Sequence, residues 1–143
     1  MFIGGYSYSI DNKKRLSIPA KFRRDLGGRA VLTLGIDVCL ILYPVAEWEK
    51  VAVKLANLPS AQGDARGFSR LMFTGAAEVE LDKLGRILIP DDLKKYAQLQ
   101  KNVAVLGISN YIEIWDADKW QEYRKKTESA VGDIAERLKE LGI

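Results

Sequence analysis

The sequence predicts an α+β fold assembled from two tandem copies of one β-β-α-β-β-α unit related by a pseudo-two-fold axis. Three observations carry that expectation. First, "YSIDNKKRLSIPAKFRRDL" at residues 8–26 returns seventy-one positions later as "VELDKLGRILIPDDLKKYA", with Asp11 on Asp82, Arg15 on Arg86, Ile18 on Ile89 and Pro19 on Pro90. Second, after one extra residue near 98–100 the match resumes, placing Gly35 on Gly107, Tyr43 on Trp115 and Trp48 on Trp120. A chance match of one short motif would not persist through Gly and aromatic positions in register, so the chain reads as an internal duplication. Third, within each copy the apolar spacing switches from period two to a helical period and back.

Each copy can be read in order. An alternating strand, "GGYSYSI" or "AAEVEL", runs into a charged turn and then a short strand, "RLSI" or "RILI". That strand stops at Pro19 or Pro90. Proline suits the first turn of a helix, where its missing N–H has no partner to lose. The helices "PAKFRRDL" and "PDDLKKYAQL" follow, with Phe22 and Leu26, or Leu93 and Ala97, four apart on one face. Asp91 and Asp92 sit where the positive end of a helix dipole favours acids. Two apolar strands come next, "AVLTLG" and "CLILYP" in the first copy and "VAVLG" and "YIEIW" in the second, and then a helix opening near Trp48 or Trp120.

The duplication divides the chain into a first domain at 1–57, a partly helical connecting segment at 58–75, and a second domain at 76–143 with C-terminal helices. In the connector, Phe68, Leu71 and Met72 are spaced for one helix face. Ile134, Leu138 and Leu141 likewise predict an amphipathic C-terminal helix that closes the second domain. A unit of about fifty residues buries little of its own surface, so the two copies are expected to pack on each other.

Composition removes several classes of function. Apolar residues make up 48% and charged residues 29% of the 143, which suits a globular chain rather than a disordered one. No apolar run reaches the ~18 residues that span a bilayer, and "MFIGGYSYSID" has neither a basic leader nor a continuous apolar core, so a cytoplasmic protein is expected. The chain has no His, which excludes Ser-His-Asp and Cys-His catalysis and His-containing metal sites. Its one cysteine, Cys39, lies in an apolar stretch that predicts a buried, inert thiol.

Net charge is +3, but its distribution matters more. Residues 1–60 hold nine Lys or Arg against five acids, whereas residues 61–143 hold thirteen against fourteen. The positive field belongs to the first copy.

The charged turns concentrate that difference, reading "DNKKR" at 11–15 and "DKLGR" at 82–86. Asp11, Asp82 and Arg86 have a structural reading: the carboxylate accepts backbone N–H groups inside the turn, and the arginine pairs with an acid. Gly85 suits a position that requires positive φ, where Lys14 at the matched place would be strained. Fold maintenance leaves the clustering of Lys13, Lys14 and Arg15 with Lys21, Arg23, Arg24 and Arg29 unexplained. Like charges repel, and a basic cluster is best accounted for by phosphates that neutralise it. Lys13 and Lys14 are expected to contact phosphate; Arg15 has the fork geometry for guanine and Asn12 can read a base edge. The candidate DNA-binding residues are therefore Asn12, Lys13, Lys14, Arg15, Lys21, Arg23 and Arg24, and the structural motif comprises Asp11, Arg15, Asp82, Gly85 and Arg86. A single strongly basic turn per subunit gives weak, salt-sensitive binding, so several subunits on repeated sites are expected.

Rival readings rest on less. Adjacent Asp91 and Asp92 do not face one another on a helix, and no Lys-Ser or Lys-Thr follows the glycines of "LGGRAVLTLG" to clasp a nucleotide. Glu78, Glu80 and Asp82 could gather a cation, although alternating acids on a solvated sheet face are commoner. No enzymatic role, cofactor, metal or small-molecule substrate is expected. A protein-interaction module with a merely solubilising turn is the other alternative, and Tyr6 and Tyr8 on one strand face raise RNA stacking as a lesser one.

These residues resemble the MraZ family, bacterial proteins with two tandem domains related to the AbrB-type swapped-hairpin fold. The resemblance rests on "MFIGGYSYSID", the two Asp-x-x-x-Arg motifs each followed by Ile-Pro, "LYPVAEWE" at 42–49 and "YIEIWDADKW" at 111–120. It implies a β-barrel with flanking helices and a cytoplasmic, nucleoid-associated transcription factor for the division and cell-wall gene cluster, usually a repressor of its own genes. It also implies ring-like homo-oligomers on double-stranded DNA carrying short direct repeats. By position, residues 11–15 would face DNA and 82–86 would form the matching motif. Lys14 replaces the family's usual glycine, which predicts an altered first turn with an added cation.

Overall fold

The computed structural model describes all 143 residues. In chain order the elements are β1 (Phe2–Ser9), β2 (Arg15–Ser17), α1 (Ala20–Leu26), β3 (Arg29–Leu34), β4 (Leu40–Pro44), α2 (Val45–Ala56), α3 (Gly63–Thr74), β5 (Ala77–Glu80), β6 (Arg86–Leu88), α4 (Asp91–Tyr96), β7 (Asn102–Ser109), β8 (Tyr111–Asp116), α5 (Ala117–Ser129) and α6 (Val131–Arg137), followed by a 3-10 turn at Lys139–Leu141. No helix is long and apolar enough to cross a membrane.

Six strands form one antiparallel sheet in the order β1-β7-β8-β4-β3-β5, and β2 and β6 form a separate two-stranded ribbon. Hydrogen bonding repeatedly crosses between the two sequence copies. β1 pairs with β7, β3 with β5, β4 with β8 and β2 with β6; only β3–β4 and β7–β8 join neighbours within a copy. Each copy thus lends its first strand to the other. No pairing joins β1 to β5, so the hydrogen-bonded order is open at both ends, and side-chain packing of the ribbon closes the core.

That packing follows from strand alternation. Leu16 and Ile18 from one side of the ribbon, and Ile87 and Ile89 from the other, are at most 1% exposed. They meet Leu32, Leu40, Leu42, Val103, Val105, Ile112 and Ile114 from the sheet, with Phe22 and Leu26 of α1 and Leu93 and Ala97 of α4, in one cluster. Burying each of the larger aliphatic side chains contributes roughly 1.5–3 kcal/mol. The ribbon is therefore a rigid platform. Tyr6 and Tyr8 are half-buried against this same core, Tyr6 edge-on to Phe22 at 5.5 Å, so packing accounts for their alternation on one strand face.

The helices α2 and α3 cover the opposite face near β3 and β4, through Leu34, Leu55 and Met72 with Trp48. Helix α5 covers it near β7 and β8, where Trp115 packs 5.5 Å from Trp120 and 5.0 Å from Tyr123. Cys39 is buried beside Ala104, Leu106 and Trp115, and burial pushes its thiol up to about 12. The C-terminal expectation needs correction. Helix α6 has no buried residue: of the predicted apolar positions Ile134 is half-buried while Leu138 and Leu141 are exposed, so this segment does not form a buried closing face.

Candidate nucleic-acid interface

Both charged turns are built by the same local chemistry. In the first, Asp11 Oδ1 accepts the backbone N–H groups of Lys13 and Arg15 at 2.9 Å each, and Oδ2 accepts Arg15 Nε at 2.8 Å. In the second, Asp82 Oδ1 accepts Leu84 and Arg86 N–H at 2.9 Å each, and Oδ2 accepts Arg86 Nε at 2.8 Å. Main-chain bonds close each loop: Asp11 N–H to Arg15 O and Lys14 N–H to Asp11 O at 3.0 Å, with Asp82 to Arg86 and Gly85 to Asp82 at 2.9 Å. The backbone N–H of the motif arginine is the largest influence and holds both carboxyls below their ordinary value; burial opposes it, and the arginine side chain adds a smaller lowering.

The expected distortion of the first turn is absent. Lys14 adopts φ 62° and Gly85 φ 76°, the same left-handed conformation. A non-glycine residue there is disfavoured by roughly 1–2 kcal/mol, which the hydrogen bonds around it offset. The turn keeps its shape and carries the strain.

Around the first turn, Asn12, Lys13 and Lys14 are exposed. Lys14 Nζ lies 2.7 Å from a carboxylate oxygen of Asp91, at the start of α4. This ion pair is open to water and worth about 0–1 kcal/mol, so a phosphate can displace the carboxylate. Lys13 has no ion-pair partner. Arg15 is half-buried and uses Nε on Asp11, which leaves its terminal nitrogens without a protein partner. A shallow groove beside the turn is lined by Ile10, Asp11, Asn12, Lys94, Gln100 and Lys101.

The α1 cations are not gathered at the first turn. Antiparallel pairing of Arg15 with Leu88 and Ser17 with Arg86 carries β2 away from its own turn toward the other, where Ile18 N–H donates to Gly85 O at 2.9 Å. Helix α1 therefore starts beside residues 82–86. Arg23 donates from Nε to Ile18 O at 2.9 Å, and its guanidinium covers Gly85, where any Cβ would collide with it. Lys21 is exposed on α1, and Arg24 is exposed with Asp25 3.6 Å away. By the same exchange, α4 brings Asp91 and Lys94 to the first turn. Asp91, Lys94 and Lys101 were missed as neighbours of the first turn because strand register, not sequence proximity, puts them there. Glu78 and Glu80 remain exposed on β5 while the Asp82 carboxylate is committed to its own turn.

Comparison with known proteins adds a family to this geometry. The family model described as "MraZ protein, putative antitoxin-like" matches residues 1–71 and again 72–141. A protein of Pelotomaculum thermopropionicum named transcriptional regulator MraZ is 49% identical over 143 residues, covering 100% of this chain and 99% of the relative. Proteins of the same name from Alkaliphilus metalliredigens and Natranaerobius thermophilus are 48% and 46% identical, each over the full length of both chains.

Proposed function

The chain belongs to the MraZ family, and on that premise we propose that it is a transcriptional regulator that binds duplex DNA directly through the 11–15 turn. The observation that carries this reading is the turn itself: Lys13 unpaired, Lys14 held only by a solvent-open carboxylate, and Arg15 with free terminal nitrogens, all on a ribbon fixed from beneath by the core. Such a surface loses little order on binding, because the Asp11 bonds have already set its shape. Lys13 and Lys14 contact phosphates, and Arg15 or Asn12 reads base edges.

The resemblance extends the proposal to autorepression of the division and cell-wall gene cluster, nucleoid association and recognition of short direct repeats by a ring-like oligomer. Few phosphate contacts per subunit support the oligomer, since linked weak sites gain from effective concentration. The exchange of β1 and β5 between the copies supports a duplicated, swapped-hairpin origin of the fold. The protein acts by binding and not by catalysis.

Fluorescence anisotropy on duplex DNA from upstream of its own gene, against a duplex with scrambled repeats, tests the reading across a salt series. Wild type should prefer the native repeats, and Lys13→Ala/Lys14→Ala and Arg15→Ala should lose that preference while folding and assembly persist. Equal affinity for both duplexes would reduce the role to nonspecific nucleoid binding. Absence of binding would leave a protein-interaction module.

A further inference from the structure

We propose that Arg23, although encoded in the first copy, belongs to the second turn, and that with Lys83 and Arg86 it forms a second phosphate-contact site on the same face as the first. The inference rests on the reading of this protein as DNA-binding and extends it to a turn that sequence alone assigns only to structure.

Register supplies the first part of the argument. Residues directly opposite in an antiparallel pair point to the same side, so Arg15, Leu88, Ser17 and Arg86 share one face of the ribbon. Leu16 and Ile87, at 0% and 1% exposure, occupy the other face and point into the core. The face bearing the two arginines is therefore the outward one. Arg15 and Arg86 are diagonal neighbours on it, and such positions lie about 7–8 Å apart. A single duplex approaching one arginine meets the other.

The second part is the commitment of nitrogen atoms. Arg86 spends Nε on Asp82 and Arg23 spends Nε on Ile18 O, which orients both guanidinium groups and leaves their terminal nitrogens free of protein partners. Gly85 makes this placement of Arg23 attainable, because its missing side chain is the space the guanidinium fills. Lys83 is exposed beside them with no ion pair. Asp82 is the only carboxylate bonded into this group, and its oxygens are already taken by its own turn. Three cations stand against one acid, where the first turn must also accommodate Asp91. The exchange of helices therefore moves positive charge to the turn that is poorer in it by sequence.

Oriented guanidinium groups with spare donors are suited to bidentate phosphate contact. Arg23, Lys83 and Arg86 bind the sugar-phosphate backbone and position the duplex, leaving base reading to the first turn.

The test uses the full-length protein on the upstream duplex, with affinity followed against salt for wild type, Arg23→Gln, Arg23→Lys, Lys83→Ala and Lys13→Ala. Glutamine at 23 keeps a donor for Ile18 O, and Lys83→Ala removes a side chain without a partner, so both variants should melt as wild type does. Arg23→Gln and Lys83→Ala should each weaken binding several-fold and lower the slope of log affinity against log salt by about 0.9 for each bound subunit. Arg23→Lys should keep the slope. Wild-type affinity and slope in Arg23→Gln and Lys83→Ala, with Lys13→Ala impaired, would overturn this site and leave the first-turn reading standing. A loss in Arg23→Gln that leaves the salt slope at its wild-type value, or that comes with a lowered melting temperature, would mark a structural role and overturn it as well. If Lys13→Ala is also silent, or wild type does not bind, both readings fail.

Discussion

The two Asp-x-x-x-Arg turns have the same hydrogen bonds within 0.1 Å and yet surround them with different charge. The first has Lys14 where the second has Gly85, and Lys13 where the second has Leu84, exposed at its tip. The comparison teaches that the aspartate and arginine define the turn, while the left-handed position between them is open to selection for other ends. In the second copy that position admits a neighbouring guanidinium; in the first it places an ammonium at the surface at some cost in strain.

The largest expected effect probes the platform the turns share. Leu16→Ala and Ile87→Ala remove matched core side chains from the ribbon's two strands, and each should destabilise by about 2–5 kcal/mol in urea unfolding. Similar losses would mean that the copies contribute alike to the core; a large disparity would show one strand to be the weaker support. Gly85→Ala comes next. It combines a left-handed alanine with a clash against Arg23, so a loss of about 2 kcal/mol or more is expected, together with weaker DNA binding if Arg23 acts where we place it. The converse change, Lys14→Gly, should stabilise by up to about 1 kcal/mol, because relief of the left-handed strain exceeds the loss of an exposed ion pair. Thermal melting distinguishes the two signs. Affinity for DNA should fall slightly in Lys14→Gly even as stability rises.

The smallest effect is acid opening of the turns. Asp11 and Asp82 both have folded-state values held below the ordinary carboxylate range. Their contribution is complete above the unfolded-state value near 4 and is lost only as pH falls through the lower folded-state value. Amide signals of Arg15 and Arg86 should therefore change together in the strongly acidic range and stay constant from pH 5 to 8. Separate midpoints would show that Lys14 and Asp91 alter the first turn in a way the shared bonds do not.

Much of this was legible beforehand. Pro19 and Pro90 marked the starts of α1 and α4 because proline's restrictions act on adjacent residues. The helices after β4 and β8 opened slightly earlier than the tryptophans suggested, at Val45 and Ala117. Lys14 was legible as a strained residue but not as one that would accept the strain, since that depends on how firmly Asp11 grips the loop. Arg23 was placed with the wrong turn for a different reason: on the sequence it lies eight residues from Arg15 and sixty-two from Gly85.

What the amino-acid order determined by itself was therefore everything set within one turn of helix or one loop: strand alternation, proline boundaries, and aspartates that satisfy N–H groups two and four residues ahead. What only the tertiary structure decided was which charges keep company. The antiparallel register of β2 against β6 joins residues about seventy positions apart, delivers α1 to the second turn and α4 to the first, and turns both arginines outward because the intervening leucine and isoleucine must go inward. Burial of those two side chains chooses the face, and the face chooses the partners of every cation on it.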